Sequence, residues 1–473
     1  MKKLLKKVLS RPVAVLGTIQ KLFKKDVLIL INQNGRDVLG LFLVYAYLKY
    51  LFNKKVAIKP AMYQKYFWIK LYQPQAVVSV NIDCPSNVSS YKMMKKLGII
   101  CLMSPTEVFP VQNEKDLVSK YDFQDIIDGA FLPGKRMGEI YINHNKISPS
   151  QALVVGFPTF DWTSKEFRKH FTAKKEFCRN NSIPEDRKLI LFVSSFTMAD
   201  YNMDNWDKEC FHWPVSNTKE RAYEWKADSQ TARKLAVSSL CELIKKHPDW
   251  HVLVRKHPLE DGRVYEKLLG KSPQITYCPD DFINDLVSAS DVIMHWNSTV
   301  SAIAFGFEKP TILIDIGKEF FLDKEDALSQ RGNYICTDTI QMERALSEIF
   351  DKRSVPETQL QARKQFAERW FAGLDGKASF RVAKFIAEFA EQNKQLVHAD
   401  MNLLELIHGS INYLKYVTWF WMARATKFLF NRQKSFAFIQ KLRKYDQFYL
   451  EFTRLRFERG IRKDILGKRV IKQ

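Results

Sequence analysis

Short, unbroken apolar runs alternate with helical stretches along most of this chain, and that rhythm limits the fold more than any other feature. Val27 to Ile31, ending at Asn32, is a continuous apolar run of the kind buried on both faces of a parallel sheet. A turn at Asn34-Gly35-Arg36 leads into a long apolar helix over 37–52. Further strands are predicted at 56–58, 76–80 and 99–103, with a helix at 89–97 stopped by Gly98. After a polar stretch at 163–187 the series starts again. Strands are predicted at 189–193, 250–254, 274–277, 291–295 and 311–314, and helices at 231–246, 282–289 and 299–305. Parallel strands need crossover connections, usually helical, so each series predicts a doubly wound sheet. The expected architecture is α/β, with two Rossmann-like domains over 26–165 and 185–390 facing a cleft. A basic amphipathic arm at 1–25 and a basic helical region at 400–473 flank them.

Charge sits at the ends of the chain. Of the +22 net charge, residues 1–25 carry +8 and residues 401–473 carry +11, which leaves +3 for residues 26–400. A nearly neutral body with basic ends suits docking on an anionic surface better than a uniformly basic fold does. No nucleic-acid-binding motif accompanies the charge, so nucleic acid is not an expected partner. Phe428, Leu429, Phe436, Ile439 and Leu442 fall on one side of a helix and Lys427, Lys434, Lys441 and Lys444 on the other. Such a helix either lies in a membrane interface or packs its apolar face on the protein. The longest apolar stretch, Val38 to Phe52, is too short to span a bilayer and contains Lys49. The N-terminus lacks a small-residue cleavage site and reads as an arm, not a secretion signal. The expected location is cytoplasmic, peripheral at the inner face of the membrane. Seven scattered cysteines without a CxxC or Cys/His cluster point to neither a disulfide framework nor a zinc site.

Candidate chemistry gathers where strands end, because ligands of open α/β sheets bind beyond the carboxyl ends of strands. Arg255-Lys256-His257-Pro258 closes one strand, and His257 is suited to bonding a phosphate or protonating a leaving oxygen. Ser290 to Thr299 carries a strand into Asn297-Ser298-Thr299 at the start of a helix. Free backbone N–H groups and the helix dipole make such a start a phosphate site. The hydroxyls of Ser298 and Thr299 either cap the helix or reach phosphate oxygens. Ser194 and Ser195 follow the strand at 189–193 and are candidates for the same phosphate. In the first half, the loop Asn32-Gln33-Asn34-Gly35-Arg36-Asp37 suits an acceptor sugar, with Asp37 a candidate base. The aromatic insert from Trp206 to Trp225 forms either a stacking surface or a local core.

Arg255 to Pro258, and Ser290 to Ile312 running through Gly306 and Lys309-Pro310, together resemble the nucleotide-binding half of bacterial surface-carbohydrate GT-B enzymes. That group includes capsule and lipopolysaccharide Kdo transferases, sialyltransferases with an HP motif, and CDP-glycerol glycerophosphotransferases. Val154 to Trp162 is similar to the Gly-Asn-Pro-Arg-Phe-Asp segment of these proteins, and Asp375 to Ser379 to the segment before their closing helix. The resemblance covers about residues 27–390. It implies a CMP- or CDP-type donor in the C-terminal half, held by Arg255, Lys256, His257, Asn297, Ser298 and Thr299, with no metal or other cofactor. The implied activity is transfer of a sugar, Kdo or another CMP-activated acidic sugar first, to a glycan or glycolipid acceptor. Two alternatives are a CDP-glycerol or CDP-ribitol phosphotransferase and a non-catalytic assembly protein. The chain departs from the pattern at Phe157 and Thr159, where Asn and Arg are usual. Where relatives carry Asp-Glu-Glu-Gly it has Met103 to Val108, leaving Glu107 as the only carboxylate and a candidate base.

Overall fold

The computed structural model describes residues 20–31, 34–60, 65–79, 85–105, 118, 121–206, 218–257, 260–278, 282–296, 298–316, 331–392, 404–411 and 446–471. The chain divides into two compact units. One comprises 1–107, 119–162 and 375–473, the other 108–118 and 163–374.

The first unit is built on a parallel sheet of β1 (Val27–Ile31), β2 (Val56–Pro60), β3 (Ala76–Ser79), β4 (Ile100–Met103), β5 (Gly129–Leu132) and β6 (Ala152–Val154), in the order β2-β1-β3-β4-β5-β6. Every residue of β1 is buried. Each such side chain contributes roughly 1.5–3 kcal/mol when removed from water, which favours an interior position. β1 accordingly pairs with β2 on one side and β3 on the other.

The helix Asn34–Tyr50 follows β1, and two distant segments pack on it, Ala378–Gln392 and Asp446–Ile471. The first buries Val382, Ala383, Ile386, Ala387 and Ala390, a stripe at helical spacing. The expected second domain ran to residue 390. Instead the chain re-enters the first unit at Asp375, because this stripe needs the apolar helix Asn34–Tyr50 as its partner. The helix Asp446–Ile471 buries Phe457, Ile461 and Ile465 and leaves Arg459, Arg462 and Lys463 exposed. Phe457 meets Trp162 with ring centroids 4.9 Å apart, and Glu458 takes the Lys49 ammonium at 2.7 Å. In this stretch the basic amphipathic helix packs on the protein. The runs 413–421 and 427–444, read above as interfacial, lie outside the described residues, as does the arm before residue 20. Among the described residues no helix is long and apolar enough to cross a membrane.

The second unit holds β7 (Lys188–Val193), β8 (Trp250–Arg255), β9 (Ile275–Tyr277), β10 (Val292–His295), β11 (Thr311–Ile314) and β12 (Tyr334–Cys336), in the order β12-β11-β10-β7-β8-β9. All of its pairs are parallel. The chain runs outward from β7 through β8 to β9, returns to place β10 beside β7, then proceeds the other way. Strand order therefore reverses between β7 and β10, the kind of place where open α/β sheets bind ligands. The helix expected from residue 231 begins at Lys219, where the Thr218 side chain caps it by accepting from Arg221 N at 3.2 Å. That extension carries Trp225 into the core beside Trp206 and Phe196. These two tryptophans form core, not a stacking surface; residues 207–217 of the insert lie outside the described residues.

Candidate functional site

Strand register assembles the candidate site of the second unit. Val193 is level with Arg255 on one side and His295 on the other. The carboxyl ends of β8, β7 and β10 thus stand in a row across the reversal of strand order. The residues after them are Lys256-His257, Ser194-Ser195 and Trp296 to Thr299. Three segments separated by long stretches of sequence meet on one edge because the sheet pairs their strands.

The two serines tie this edge together. Ser194 is buried. Its hydroxyl donates to Glu260 Oε2 and accepts from the His257 amide at 3.0 Å. Tyr265 also donates to Glu260 Oε2, at 2.9 Å. Burial raises the Glu260 carboxyl above the usual carboxylate range, against the pull of these hydrogen bonds. Glu260 carries no motif, and sequence reasoning missed it. A lone loop glutamate gives no sign that it will be buried behind a strand end distant in sequence. Lys256 turns back on the same loop, donating to Glu260 O at 2.9 Å and His257 O at 3.3 Å. Ser195 donates to the Trp296 carbonyl, which joins the ends of β7 and β10. Both serine hydroxyls are therefore engaged in holding the loops. Arg255 and His257 are half-buried at the strand end and Thr299 is exposed.

Three residues beyond the end of β10, Ser298 braces the first turn of the next helix. Its hydroxyl accepts from Val300 N at 3.3 Å, and its carbonyl accepts from Ser301 N at 3.1 Å. The helix it opens, Val300–Gly306, has seven residues. It lies close to the start of the unit, since a Cβ at Gly306 would overlap the Thr163 side chain. Lys309 donates to the carbonyls of Ser288 at 3.0 Å and Ser290 at 2.7 Å. In the motif that runs through Gly306 and Lys309, these two residues are thus scaffold. Asn297 lies outside the described residues, as do Glu107 and the side chain of Asp37; the backbone of Asp37 belongs to the helix Asn34–Tyr50. Among the described residues no cluster of His, Cys, Asp and Glu is placed to hold a metal ion.

His295 gives this edge a pH dependence. It is buried, with Nε2 3.1 Å from Asn333 Oδ1 and Nδ1 accepting from Ser298 N at 3.4 Å. Burial lowers its pKa to about 4, and the Asn333 bond only partly offsets this. Below about pH 6.5 the unfolded chain takes up a proton that the folded chain refuses. The stability tied to neutral His295 is thus present above pH 6.5 and lost as pH falls toward 4, up to about 3 kcal/mol. The melting temperature of the parent should fall relative to that of His295→Gln across this window. A constant difference between the two would show that the imidazole is not held neutral.

The segments around Asp161 and Ser379 have a mechanical role in the first unit. The Asp161 carboxylate accepts from Ala378 N at 3.0 Å and Ser379 N at 2.6 Å, at the start of the helix Ala378–Gln392. Arg381 Nε donates to Val155 O at 2.6 Å. Val154 to Trp162 and Asp375 to Ser379, familiar as sequence segments, latch where the chain leaves this unit and where it returns.

With the geometry established, comparison with known proteins adds the following. A family model described as CDP-Glycerol:Poly(glycerophosphate) glycerophosphotransferase matches residues 92–388. No curated protein sequence matches the chain. Among solved structures, the wall teichoic acid polymerase TagF is similar, with 14% identity, 83% of this chain and 98% of that chain covered, and a TM-score of 0.52. A histidine-to-asparagine variant of TagF soaked with CDPG gives 15% identity, coverage of 83% and 98%, and a TM-score of 0.51. The UDP-GlcNAc 2-epimerase of Neisseria meningitidis bound to UDP-GlcNAc gives 11% identity, coverage of 76% and 100%, and a TM-score of 0.46. The structural likeness to the polymerase supports the two-sheet GT-B-like fold. The family match favours the CDP-polyol alternative over the CMP-sugar donor placed first from sequence.

Proposed function

Because the chain belongs to the CDP-glycerol:poly(glycerophosphate) glycerophosphotransferase family, we propose that it transfers a polyol phosphate, glycerol phosphate first, from a CDP-activated donor to a hydroxyl of a surface polymer. The acceptor oxygen attacks the phosphorus that carries the polyol. The bond from that phosphorus to the bridging oxygen breaks, and CMP leaves with the electron pair. Negative charge grows on the departing phosphate, so the site needs cations and N–H donors at that point. The observation that carries this reading is the alignment of Arg255, Val193 and His295. It brings His257 and Thr299 to one edge at the reversal of strand order. In this reading Arg255 and His257 contact the diphosphate, His257 also giving a proton to the departing phosphate oxygen, and the Thr299 hydroxyl reaches the same group. Ser194, Ser195 and Lys256 hold the loops that present them. Glu107 and Asp37 are the proposed acceptor bases.

A thermal-shift comparison of CDP-glycerol, CMP, UDP and GDP tests the donor. Cytidine ligands should raise the melting temperature, by the equivalent of about 2.7 kcal/mol at one hundred times Kd, and uridine and guanosine ligands should not. Protection by UDP or GDP alone would overturn the proposal. Product mass then separates polyol-phosphate transfer from sugar transfer, since both release CMP.

A further inference from the structure

The turn that presents His257 is folded around a buried carboxylate. Glu260 is 9% exposed, and its side chain lies beside Ser194 at the end of β7. Several contacts hold the turn in this form. Glu260 N donates to His257 O at 3.0 Å. The Lys256 ammonium donates to the carbonyls of Glu260 at 2.9 Å and His257 at 3.3 Å. The Lys256 side chain also lies along Gly262, where a Cβ would stand 2.9 Å from its Cδ. Asp261 then caps the helix Gly262–Leu269 by accepting from Arg263 N at 3.1 Å, and that helix supplies the buried Tyr265.

A carboxylate is a costly choice for this position. Taking a charge out of water is unfavourable unless an opposite charge compensates. The leading influences on the Glu260 carboxyl are burial, the Ser194 and Tyr265 hydroxyls and the backbone of His257 and Phe196, and no cation is among them. Arg233, which feels the charge of Glu260, is held by both carboxylate oxygens of Asp200. For stability alone a neutral side chain would serve as well. What the charge supplies is direction. An ionised carboxylate only accepts, so it fixes the protons of the two hydroxyls that meet it, those of Ser194 and Tyr265. With its one proton committed to Glu260, Ser194 presents lone pairs alone to its other neighbour, and the His257 amide donates to it at 3.0 Å. The chain from Glu260 through Ser194 to the His257 amide thus links the buried charge to the backbone that carries the imidazole.

We propose that Glu260 is a positioning residue for the transfer reaction, acting through Ser194 to fix the backbone of His257 and with it the imidazole at the departing phosphate. The inference rests on the transfer reading above and adds to it a residue that acts without touching the donor. Small errors in placing a reacting group slow the chemical step.

Glu260→Gln tests it, because glutamine keeps the shape and removes the charge. A neutral acceptor holds a hydroxyl about half as strongly, and the new amide group competes as a donor to Ser194. The expected fall in kcat is about fivefold to tenfold, the difference between a charged and a neutral hydrogen bond. KM for CDP-glycerol should stay within about twofold of the parent's, since the groups proposed to bind the diphosphate are unchanged. The melting temperature should hold or rise, because a buried charge has been removed. A residue that only supports the fold would give the reverse, parental turnover in a less stable protein. Hydrogen exchange at the His257 amide is a readout that needs no turnover. It should quicken about fivefold or more in Glu260→Gln, while amides in the middle of β7 and β8 keep their protection. In a chain carrying Ser194→Ala, adding Glu260→Gln should lower kcat no further, since the link it acts through is gone. Parental kcat in Glu260→Gln would overturn the proposal. So would unchanged exchange at His257, exchange that quickens throughout the unit, or a loss that adds in full to that of Ser194→Ala. If the parent does not turn over CDP-glycerol, the donor reading fails, and exchange at His257 alone then decides the role of Glu260.

Discussion

Alanine at position 257 is expected to lower polyol-phosphate transfer by roughly 10²–10⁴-fold, the range for losing a positioned proton donor, while barely changing the melting temperature. The two readouts separate because of how the loop is held. The contact between this loop and β7 is made by the His257 amide, which donates to Ser194 Oγ at 3.0 Å, and alanine retains that amide. Further ties are the Glu260 amide to His257 O at 3.0 Å, Lys256 to the carbonyls of His257 and Glu260, and Ser194 and Tyr265 to the Glu260 carboxylate, and alanine at 257 retains each of them. Initial rates with CDP-glycerol, followed by CMP release, together with calorimetry, check both halves. A rate within about threefold of the parent would remove His257 from the proposed proton-transfer role. A large fall in melting temperature would make its role structural.

Sequence revealed long strands better than short ones, for a physical reason. A run such as Val27–Ile31 is buried on both faces, so every residue in it must be apolar and the run is visible. β6 and β12 were missed for want of such a run, and β5 was missed although all four of its residues are buried, because its run is short and opens on glycine. β6 has three residues, none of them fully buried, and β12 has only Cys336 buried. Their positions are set by pairing with β5 and β11, not by their own composition. The candidate site was legible where it depends on strand ends, because a strand followed by a polar motif is a local signal. It was not legible where it depends on pairing. That Ser194 lies between His257 and Trp296 follows from a strand order no local pattern contains. Glu260 became part of the site only through contacts with Ser194 and Tyr265. The amphipathic C-terminal pattern was ambiguous for a different reason. An apolar stripe suits lipid and protein equally well, and only the fold shows that the stripe at Phe457 is buried against the protein.

The Asp161→Ala variant is expected to destabilise the first unit by about 3 kcal/mol, the sum of a lost helix cap and two buried N–H groups left without acceptors. Both amides belong to the first turn of the helix Ala378–Gln392 and are met by the two carboxylate oxygens, at 3.0 and 2.6 Å. That helix begins just after the chain returns to this unit at Asp375. Loss of the cap therefore loosens the closing contact against the helix Asn34–Tyr50, and not just one exposed end. For a unit of this size the melting transition should drop by roughly 2–4 °C per kcal/mol. Asparagine should restore less than half of the loss, since its amide offers one acceptor and turns a donor toward the second N–H. The penalty also depends on pH. Burial raises the Asp161 carboxyl to about 6, against the downward pull of the Ser379 and Ala378 hydrogen bonds. The folded chain then binds this proton more tightly than the unfolded chain does. Stability from the site is greatest below the unfolded value near 4 and declines as pH rises through 6. The gap between parent and Asp161→Ala should accordingly be wider at pH 5 than at pH 8. Calorimetry at the two pH values reads this directly, because contributions from His295 are common to both proteins and cancel. A gap of the same size at the two pH values would mean that the two amides outweigh burial and hold Asp161 ionised throughout.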